Sequence, residues 1–129
     1  LVVIATNNND VNTKVLESVP HHALCNHASK AQVGNVTIPS ILKRGKLSIS
    51  VSTNGASPKL NKKIISRISD MYDESYEMYI DFLYESRQLI KRLSIEPSRK
   101  QELLQHILSD EYLDEVKQQE FTRWLHLQV

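Results

Sequence analysis

The sequence contains a single cysteine, Cys25, among its 129 residues. One cysteine cannot form a disulfide within the chain, and there is no set of cysteines to bind zinc. We therefore predict a reducing compartment and a cytoplasmic protein. Glycine and proline are also scarce, with 3 and 4 residues, which excludes collagen-like and low-complexity classes.

Long hydrophobic runs are absent as well. The longest apolar run, Leu1–Ala5, is far shorter than the roughly 20 residues of a membrane-spanning helix. No charged segment precedes it, as one would in a signal peptide, so we predict neither a membrane span nor a secretory signal. The chain begins with leucine inside this run, from which we predict that it is a piece of a longer protein.

Acidic residues are missing from the stretch 18–69, although the net charge of the chain is only +1. This stretch carries basic residues alone: Lys30, Lys43, Arg44, Lys46, Lys59, Lys62, Lys63 and Arg67. The segregation favours an anionic partner for the middle of the chain, the alternative being a solvated basic surface without a ligand. No aromatic residue interleaves with these bases, so we predict no nucleic-acid binding.

The opening of the chain predicts a strand, a helix and a second strand. Leu1–Ala5 is a β-branched run typical of a strand covered on both faces. Thr6–Asp10 supplies turn and N-cap chemistry before apolar residues at helical spacing, and Pro20 ends that helix. Ala23–Asn26 is the second candidate strand. We predict a βαβ unit with a right-handed crossover.

The middle of the chain predicts two further strands followed by a helix. Residues 36–39 and Leu47–Val51 are the candidate strands, the second with apolar side chains alternating with serines. Asn54–Gly55 is suited to a type I′ hairpin turn. Ser57–Pro58 follows at once and is typical of a helix start, so we predict strand, loop and helix.

From Ser57 onward the apolar spacing is helical to the end of the chain. We expect Pro97 in the first turn of one helix and Ser109–Asp110 to cap the last segment. The aromatic residues of these helices are assigned to packing rather than to chemistry.

Polar residues in two places form the candidate site. Ligands of parallel sheets bind beyond the carboxyl ends of the strands, which points to Thr6, Asn7 and Asn26. The loop Ser52–Gly55 offers hydroxyl, amide and backbone donors directly before a helix N-terminus, which favours a carboxylate or phosphate. Lysines follow it, and Lys43, Arg44 and Lys46 lie in the preceding hairpin. A capped helix with a solvated basic face is the alternative.

Metal and nucleotide-loop motifs are not found. His21, His22 and His27 cluster in sequence, but no carboxylate joins them in this acid-free segment, and we predict no metal site. The chain has no nucleophile elbow, no P-loop and no G-x-G-x-x-G.

Several spaced blocks resemble a known family. The blocks are Leu1–Asn12, Cys25–Asn26, Ile38–Ile41 with Arg44–Gly45, and Ser50–Pro58. In this order and spacing they resemble the precorrin-2 dehydrogenase and sirohydrochlorin ferrochelatase family, which also forms the N-terminal half of siroheme synthases. The resemblance is close over residues 1 to about 70 and only general over the helical tail.

The resemblance implies an enzyme that oxidises precorrin-2 to sirohydrochlorin with NAD and in some members inserts iron. It implies a homodimer in which each chain has three segments. These are the C-terminal part of a Rossmann NAD domain (residues 1–35), a central strand-helix dimerisation region that also binds substrate (36–73) and an α-helical domain (74–129). Thr6, Asn7 and Asn26 would lie beside NAD, and Ser52, Thr53, Asn54, Gly55, Lys43 and Arg44 beside the tetrapyrrole.

Two departures from the family pattern bear on activity. The glycine-rich phosphate loop of the family would precede Leu1, so we expect this chain alone to be inactive. The family also places a proposed acid/base aspartate where this chain has Ser29, and a serine hydroxyl does not titrate near neutrality. Either His27 or a water replaces it, or positioning alone suffices, or the activity is weak. A non-catalytic dimerisation or regulatory module is the alternative function.

Overall fold

The structure, a computed structural model, describes all residues from Leu1 to Val129. The α/β class predicted from the sequence is confirmed, with two small sheets and five α-helices. In chain order the elements are β1 (Val2–Ile4), α1 (Asn9–Ser18), β2 (Cys25–His27), β3 (Ser40–Arg44), β4 (Leu47–Val51), α2 (Pro58–Met71), α3 (Ser75–Arg92), α4 (Pro97–His106) and α5 (Glu115–His126). Short 3₁₀ helices cover Ala31–Val33 and Asp110–Leu113.

The contacts divide the chain into two compact units. The first comprises Leu1–Leu42 and Ser50–Ile68, and the second comprises Lys43–Ile49 and Ser69–Val129. The division into segments 1–35, 36–73 and 74–129 stays a prediction.

The βαβ unit predicted for the opening is confirmed in the first unit. β1 and β2 pair in parallel, with Val2 opposite Cys25 and Ile4 opposite His27, and α1 connects them. The predicted second strand begins two residues too early, because the amide of Ala23 donates to the carbonyl of Pro20 in a turn.

β1 is covered less completely than its composition predicts. Ile4 is 2% exposed, but Val3 is 51% exposed. The expectation of a strand buried on both faces is therefore wrong for this chain, in which one face of β1 is open.

A segment at residues 34–36 covers the free edge of β2. The amide of Asn35 donates to the carbonyl of Cys25, while its side chain accepts from the amide of Cys25 at 2.7 Å and donates to the carbonyl of Ala23 at 3.0 Å. A Cβ atom on Gly34 would lie 2.6 Å from the Cys25 carbonyl oxygen, so only glycine permits this approach. The strand predicted at 36–39 is wrong, because the amides of Asn35 and Val36 both donate to the one Cys25 carbonyl and do not continue as a ladder; the strand begins at Ser40 instead.

The hairpin β3–β4 turns at Gly45, whose φ is +55°. Along β4 the apolar residues are half-buried and the serines exposed, as the alternation predicts. After β4, Asn54 and Gly55 both have positive φ, and the Ala56 amide donates to the Thr53 carbonyl at 3.0 Å. This type I′ turn therefore lies in the loop between a strand and a helix, as we predict, and not in a hairpin.

The second unit has a helical core. The buried side chains come from α3, α4 and α5 and from the turns between them, and include Phe82, Ile90 and Leu125. The Tyr79 hydroxyl donates to the Ile107 carbonyl at 2.9 Å, which ties α3 to the end of α4. No α-helix of the chain is both long and apolar enough to cross a membrane. The cytoplasmic location stays a prediction.

Two of the three helix starts predicted from residue 57 onward are confirmed. The Ser57 hydroxyl accepts from the Leu60 amide at 3.1 Å, and Pro97 opens α4. The third is wrong, because Ser109–Asp110 leads only into a 3₁₀ helix. Asp114 caps α5 instead, accepting from the amides of its second and third residues.

Candidate functional site

The carboxyl end of β1 is fixed by a buried asparagine, Asn12, which is 3% exposed. Its side-chain oxygen accepts from the amide and hydroxyl of Thr6 at 3.3 and 2.5 Å, and its nitrogen donates to the Thr6 carbonyl at 3.0 Å. The Thr6 hydroxyl oxygen in turn accepts from the Asn8 amide at 3.2 Å. Thr6 therefore shapes the loop, and its own polar groups are largely engaged.

Asn7 differs from its neighbours in this loop. Its side chain is exposed and makes no hydrogen bond within the chain, whereas Asn8 caps α1 by accepting from the amides of Asp10 and Val11. The loop contains neither glycine nor a basic residue. It suits hydroxyl or carboxamide groups of a ligand better than a pyrophosphate, which requires close backbone approach or cations.

The carboxyl end of β2 brings His27 and Ser29 together. His27 is buried, at 5% exposure, and its Nδ1 lies 3.4 Å from the exposed Ser29 hydroxyl oxygen. The half-buried side chain of Asn26 donates to the Val36 carbonyl at 3.0 Å. Asn26 therefore holds the covering segment, while the His27–Ser29 pair offers a basic nitrogen beside a hydroxyl.

The loop Ser52–Gly55 presents donors before α2. The Ser52 hydroxyl accepts from the Asn54 amide at 3.1 Å, and the Thr53 hydroxyl accepts from the Ser57 amide at 3.0 Å. Each hydroxyl hydrogen remains available to an outside acceptor, as does the Gly55 amide, which has no partner within the chain. Exposed lysines follow in the first turns of α2, at Lys59, Lys62 and Lys63. This arrangement can bind carboxylates through charge-assisted hydrogen bonds.

Two of the predicted site segments meet in the first unit. A Cβ atom on Gly55 would lie 2.6 Å from the Cβ of Ala31, two residues beyond Ser29. The donor loop before α2 therefore runs beside the segment that follows β2. Gly55 is needed for this approach and for its φ of +85°.

Lys43 and Arg44 belong to the second unit. The Arg44 guanidinium donates to the Tyr72 carbonyl at 3.0 Å and to the Ser69 hydroxyl at 2.9 Å, so it closes the end of α2. Lys43 is exposed and its ammonium makes no bond within the chain. Of the two predicted substrate contacts, Lys43 is thus the one whose charge is free.

Two surface groups of the second unit have shifted pKa values. A hydrogen bond from Lys46 to Asp81 raises the pKa of the Lys46 ammonium, and the same ammonium lies 5.1 Å from the centre of the Tyr84 ring. The hydroxyl and amide of Ser75 lower the pKa of the Asp73 carboxyl. The Asp81 carboxylate is therefore engaged by Lys46 at the hairpin tip, and the Asp73 carboxylate by Ser75 at the start of α3.

Two cavities lie away from the predicted residues. A groove of about 590 Å³ runs between α3 and α5, and one of about 340 Å³ lies between the end of α1 and residues 33–35. No group of three or more histidine, cysteine or acidic side chains is arranged to hold a metal ion. Sequence reasoning missed Asn12 and Asn35, which organise the loops; both are asparagines without a local motif, so their partners became evident only in the fold.

Comparison with family models gives two matches. The model "Sirohaem biosynthesis protein central" matches residues 44–68, and the model "SirC C-terminal domain" matches residues 76–121. The first range covers the hairpin tip through most of α2, and the second covers α3 through the first half of α5.

Curated relatives and a solved structure extend these matches. A protein named precorrin-2 dehydrogenase from Priestia megaterium is 49% identical over 121 residues, covering 93% of this chain and 60% of that protein. One of the same name from Bacillus subtilis (strain 168) is 37% identical over 87 residues, covering 67% of this chain and 54% of that protein. The solved structure "SirC, precorrin-2 dehydrogenase" superposes with a TM-score of 0.82 at 46% identity, covering 96% of this chain and 62% of that one. The chain thus spans about 60% of the length of these relatives.

Proposed function

The chain belongs to the precorrin-2 dehydrogenase and siroheme synthase family, and we propose from this premise that the protein containing it oxidises precorrin-2 to sirohydrochlorin with NAD. The reaction would serve siroheme biosynthesis. We assign the activity to a protein of the relatives' full length rather than to this chain alone.

The residues at the end of β1 fit part of a dinucleotide. Asn7 offers a free carboxamide, and Thr6 is held rigidly by Asn12, so the loop suits the hydroxyls of a ribose or the carboxamide of nicotinamide. With no glycine and no cation in this loop, the pyrophosphate would have to be held outside this chain. When bound, the oxidised nicotinamide supplies the acceptor for a hydride.

The tetrapyrrole is assigned to the donor loop Ser52–Gly55. The observation that supports this assignment is the close approach of Gly55 to Ala31, which brings the donor loop to the segment that follows β2. The macrocycle is fringed with carboxylates, and a region that contains lysines and no acid attracts such a ligand. Asn26 would then lie at the side of the cofactor, Ser29 toward the substrate, and the loop and its lysines at the substrate periphery.

The exposed apolar stripe of α2 supports a homodimer. None of the side chains of α2 is buried, and Leu60 is 45% exposed although it belongs to a stripe of leucine and isoleucine at helical spacing. A face of this kind is usually covered by another surface. We propose that a second copy of the protein covers it.

The activity is tested with the full-length protein, precorrin-2 and NAD. We expect one NADH for each sirohydrochlorin formed. Replacing Ser52 by alanine should raise the KM for precorrin-2 about tenfold or more through the loss of one hydrogen bond to a charged group, worth about 1.5 kcal/mol or more, and leave the KM for NAD unchanged. Ser48→Ala, an exposed serine on β4, is the matched control.

Three results separate the alternatives. Wild-type protein that forms no sirohydrochlorin contradicts the proposed function, and binding of the macrocycle without turnover indicates the non-catalytic module instead. Equal effects of Ser52→Ala and Ser48→Ala contradict the assignment of the donor loop. Addition of ferrous iron to the same mixture measures the iron insertion that the family resemblance implies.

A further inference from the structure

His27 occupies a position where a proton acceptor is useful. It is the last residue of β2 and is 5% exposed, and ligands of parallel sheets bind at this end of the strands. A buried imidazole whose Nδ1 faces a hydroxyl has the arrangement by which a serine gives up its own proton to a neighbouring base. Sequence reasoning left open which group replaces the missing carboxylate at Ser29.

We propose that Ser29 and His27 form a proton relay in the oxidation of the macrocycle, with Ser29 meeting the substrate and His27 taking the proton from Ser29. This inference rests on the proposed function, which supplies the substrate and the nicotinamide oxidant. The exposed hydroxyl and the buried ring divide these two tasks between them.

The distance between the two groups is consistent with an unliganded relay. The Ser29 hydroxyl oxygen and His27 Nδ1 are 3.4 Å apart, at the long end of a hydrogen bond. Catalytic hydrogen bonds are often long before substrate binds and tighten in the complex. Gly55 approaches Ala31 closely, two residues beyond Ser29, so a macrocycle bound by the donor loop would lie on the side of the Ser29 hydroxyl.

No other proton acceptor is found in contact with the Ser29 hydroxyl. Glu17 and His21 line a cavity with Cys25, at the opposite end of β2 from His27. β1, the 3₁₀ helix Ala31–Val33 and the covering segment 34–36, which pack against β2, carry no ionisable side chain. The ionisable neighbours along the chain are the Cys25 thiol, on the same face of β2, and the Lys30 ammonium. Because residues 18–69 contain no acid, His27 is the basic nitrogen in contact with this hydroxyl.

The step balances with the oxidation of one substrate molecule. The substrate loses a hydride, with its electron pair, to the oxidised nicotinamide, and it loses one proton from a ring nitrogen to the Ser29 oxygen. The Ser29 O–H bond breaks as its own proton passes to His27 Nδ1. Serine therefore ends unchanged and His27 ends as an imidazolium, which releases its proton to water before the next turnover.

The pH dependence of kcat tests the relay in the full-length protein. A histidine that accepts a proton in the reaction must be neutral, so kcat has an acid limb on which it falls as the pH drops. We expect His27→Gln to lower kcat by about 10²–10⁴-fold, the usual contribution of a general base, and to remove this acid limb. Ser29→Asp in the His27→Gln background should restore much of kcat and move the limb toward the ordinary carboxyl pKa of about 4.

Two measurements keep the test independent of folding and of turnover. Ser29→Ala changes an exposed residue and should lower kcat while binding of NAD stays within twofold. The ¹⁵N chemical shift of His27 Nδ1 should change on Ser29→Ala in the protein without ligands. The relay is contradicted if the acid limb of kcat persists in His27→Gln, or if the ¹⁵N chemical shift of His27 Nδ1 does not change in Ser29→Ala. If the wild type does not oxidise precorrin-2, the proposed function fails, while the ¹⁵N comparison still decides the contact.

Discussion

Replacement of Asn12 by alanine gives a prediction whose magnitude follows from the geometry. Asn12 is 3% exposed and exchanges hydrogen bonds with the backbone amide and carbonyl of Thr6 at 3.3 and 3.0 Å. Its third bond, to the Thr6 hydroxyl, can be replaced by the Asn8 carbonyl, which lies 3.1 Å from that hydroxyl. The variant therefore loses two bonds, each worth about 1 kcal/mol, so we expect a local cost of about 2 kcal/mol.

Hydrogen exchange is the assay for this cost, because a chain with two compact units does not guarantee a single unfolding transition. A loss of about 2 kcal/mol corresponds to a roughly thirtyfold fall in the protection of the Thr6 amide. The affinity of the full-length protein for NAD should fall with it, since Thr6 and Asn7 are assigned to that ligand.

The neighbouring residue Thr13 provides the control. It lies on the same helix, and its exposed hydroxyl donates to the Asn9 carbonyl at 3.0 Å. Thr13→Ala should change stability by no more than about 0.5 kcal/mol. Equal protection of the Thr6 amide in the two variants would refute the role assigned to Asn12.

Three further predictions concern other parts of the chain. Ser86→Ala should raise the protection of the α3 amides against hydrogen exchange, by about 1 kcal/mol in free energy, because the hydroxyl is 0% exposed and has no hydrogen-bond partner; lower protection would contradict this. Gly34→Ala should cost about 1–3 kcal/mol, since its Cβ would lie 2.6 Å from the Cys25 carbonyl oxygen; unchanged exchange of the β2 amides would oppose it. Lys43→Glu should weaken tetrapyrrole binding roughly fivefold, about 1 kcal/mol, and NAD binding less, with Lys117→Glu on α5 as control; equal losses for both ligands would argue against the assignment of Lys43.

The predictable part of the fold consists of features encoded over a few neighbouring residues. The β-branched run before Thr6, the Ser57–Pro58 helix start and the Asn54–Gly55 turn each depend on local chemistry, and all three occur. The strand expected at 36–39 is not formed, because the amides of Asn35 and Val36 both donate to the one Cys25 carbonyl instead of continuing as a ladder. That contact joins residues far apart in sequence, and no local pattern reveals it.

The candidate site divides in the same way. The donor loop before α2 follows from a serine, a threonine and a positive-φ turn at adjacent positions. The structural role of Arg44 could not be predicted from neighbouring residues, because its partners, Ser69 and Tyr72, lie 25 and 28 residues further along the chain. A count of basic residues treats Arg44 as free, whereas the fold uses it to close a helix.

The most direct test of the central claim is a crystal structure of the full-length protein with NAD and sirohydrochlorin. We predict that the nicotinamide and the macrocycle meet at the carboxyl ends of β1 and β2, with macrocycle carboxylates on Ser52–Gly55 and a ring nitrogen facing Ser29. A macrocycle bound in the groove between α3 and α5, with no contact to the donor loop, would contradict the account.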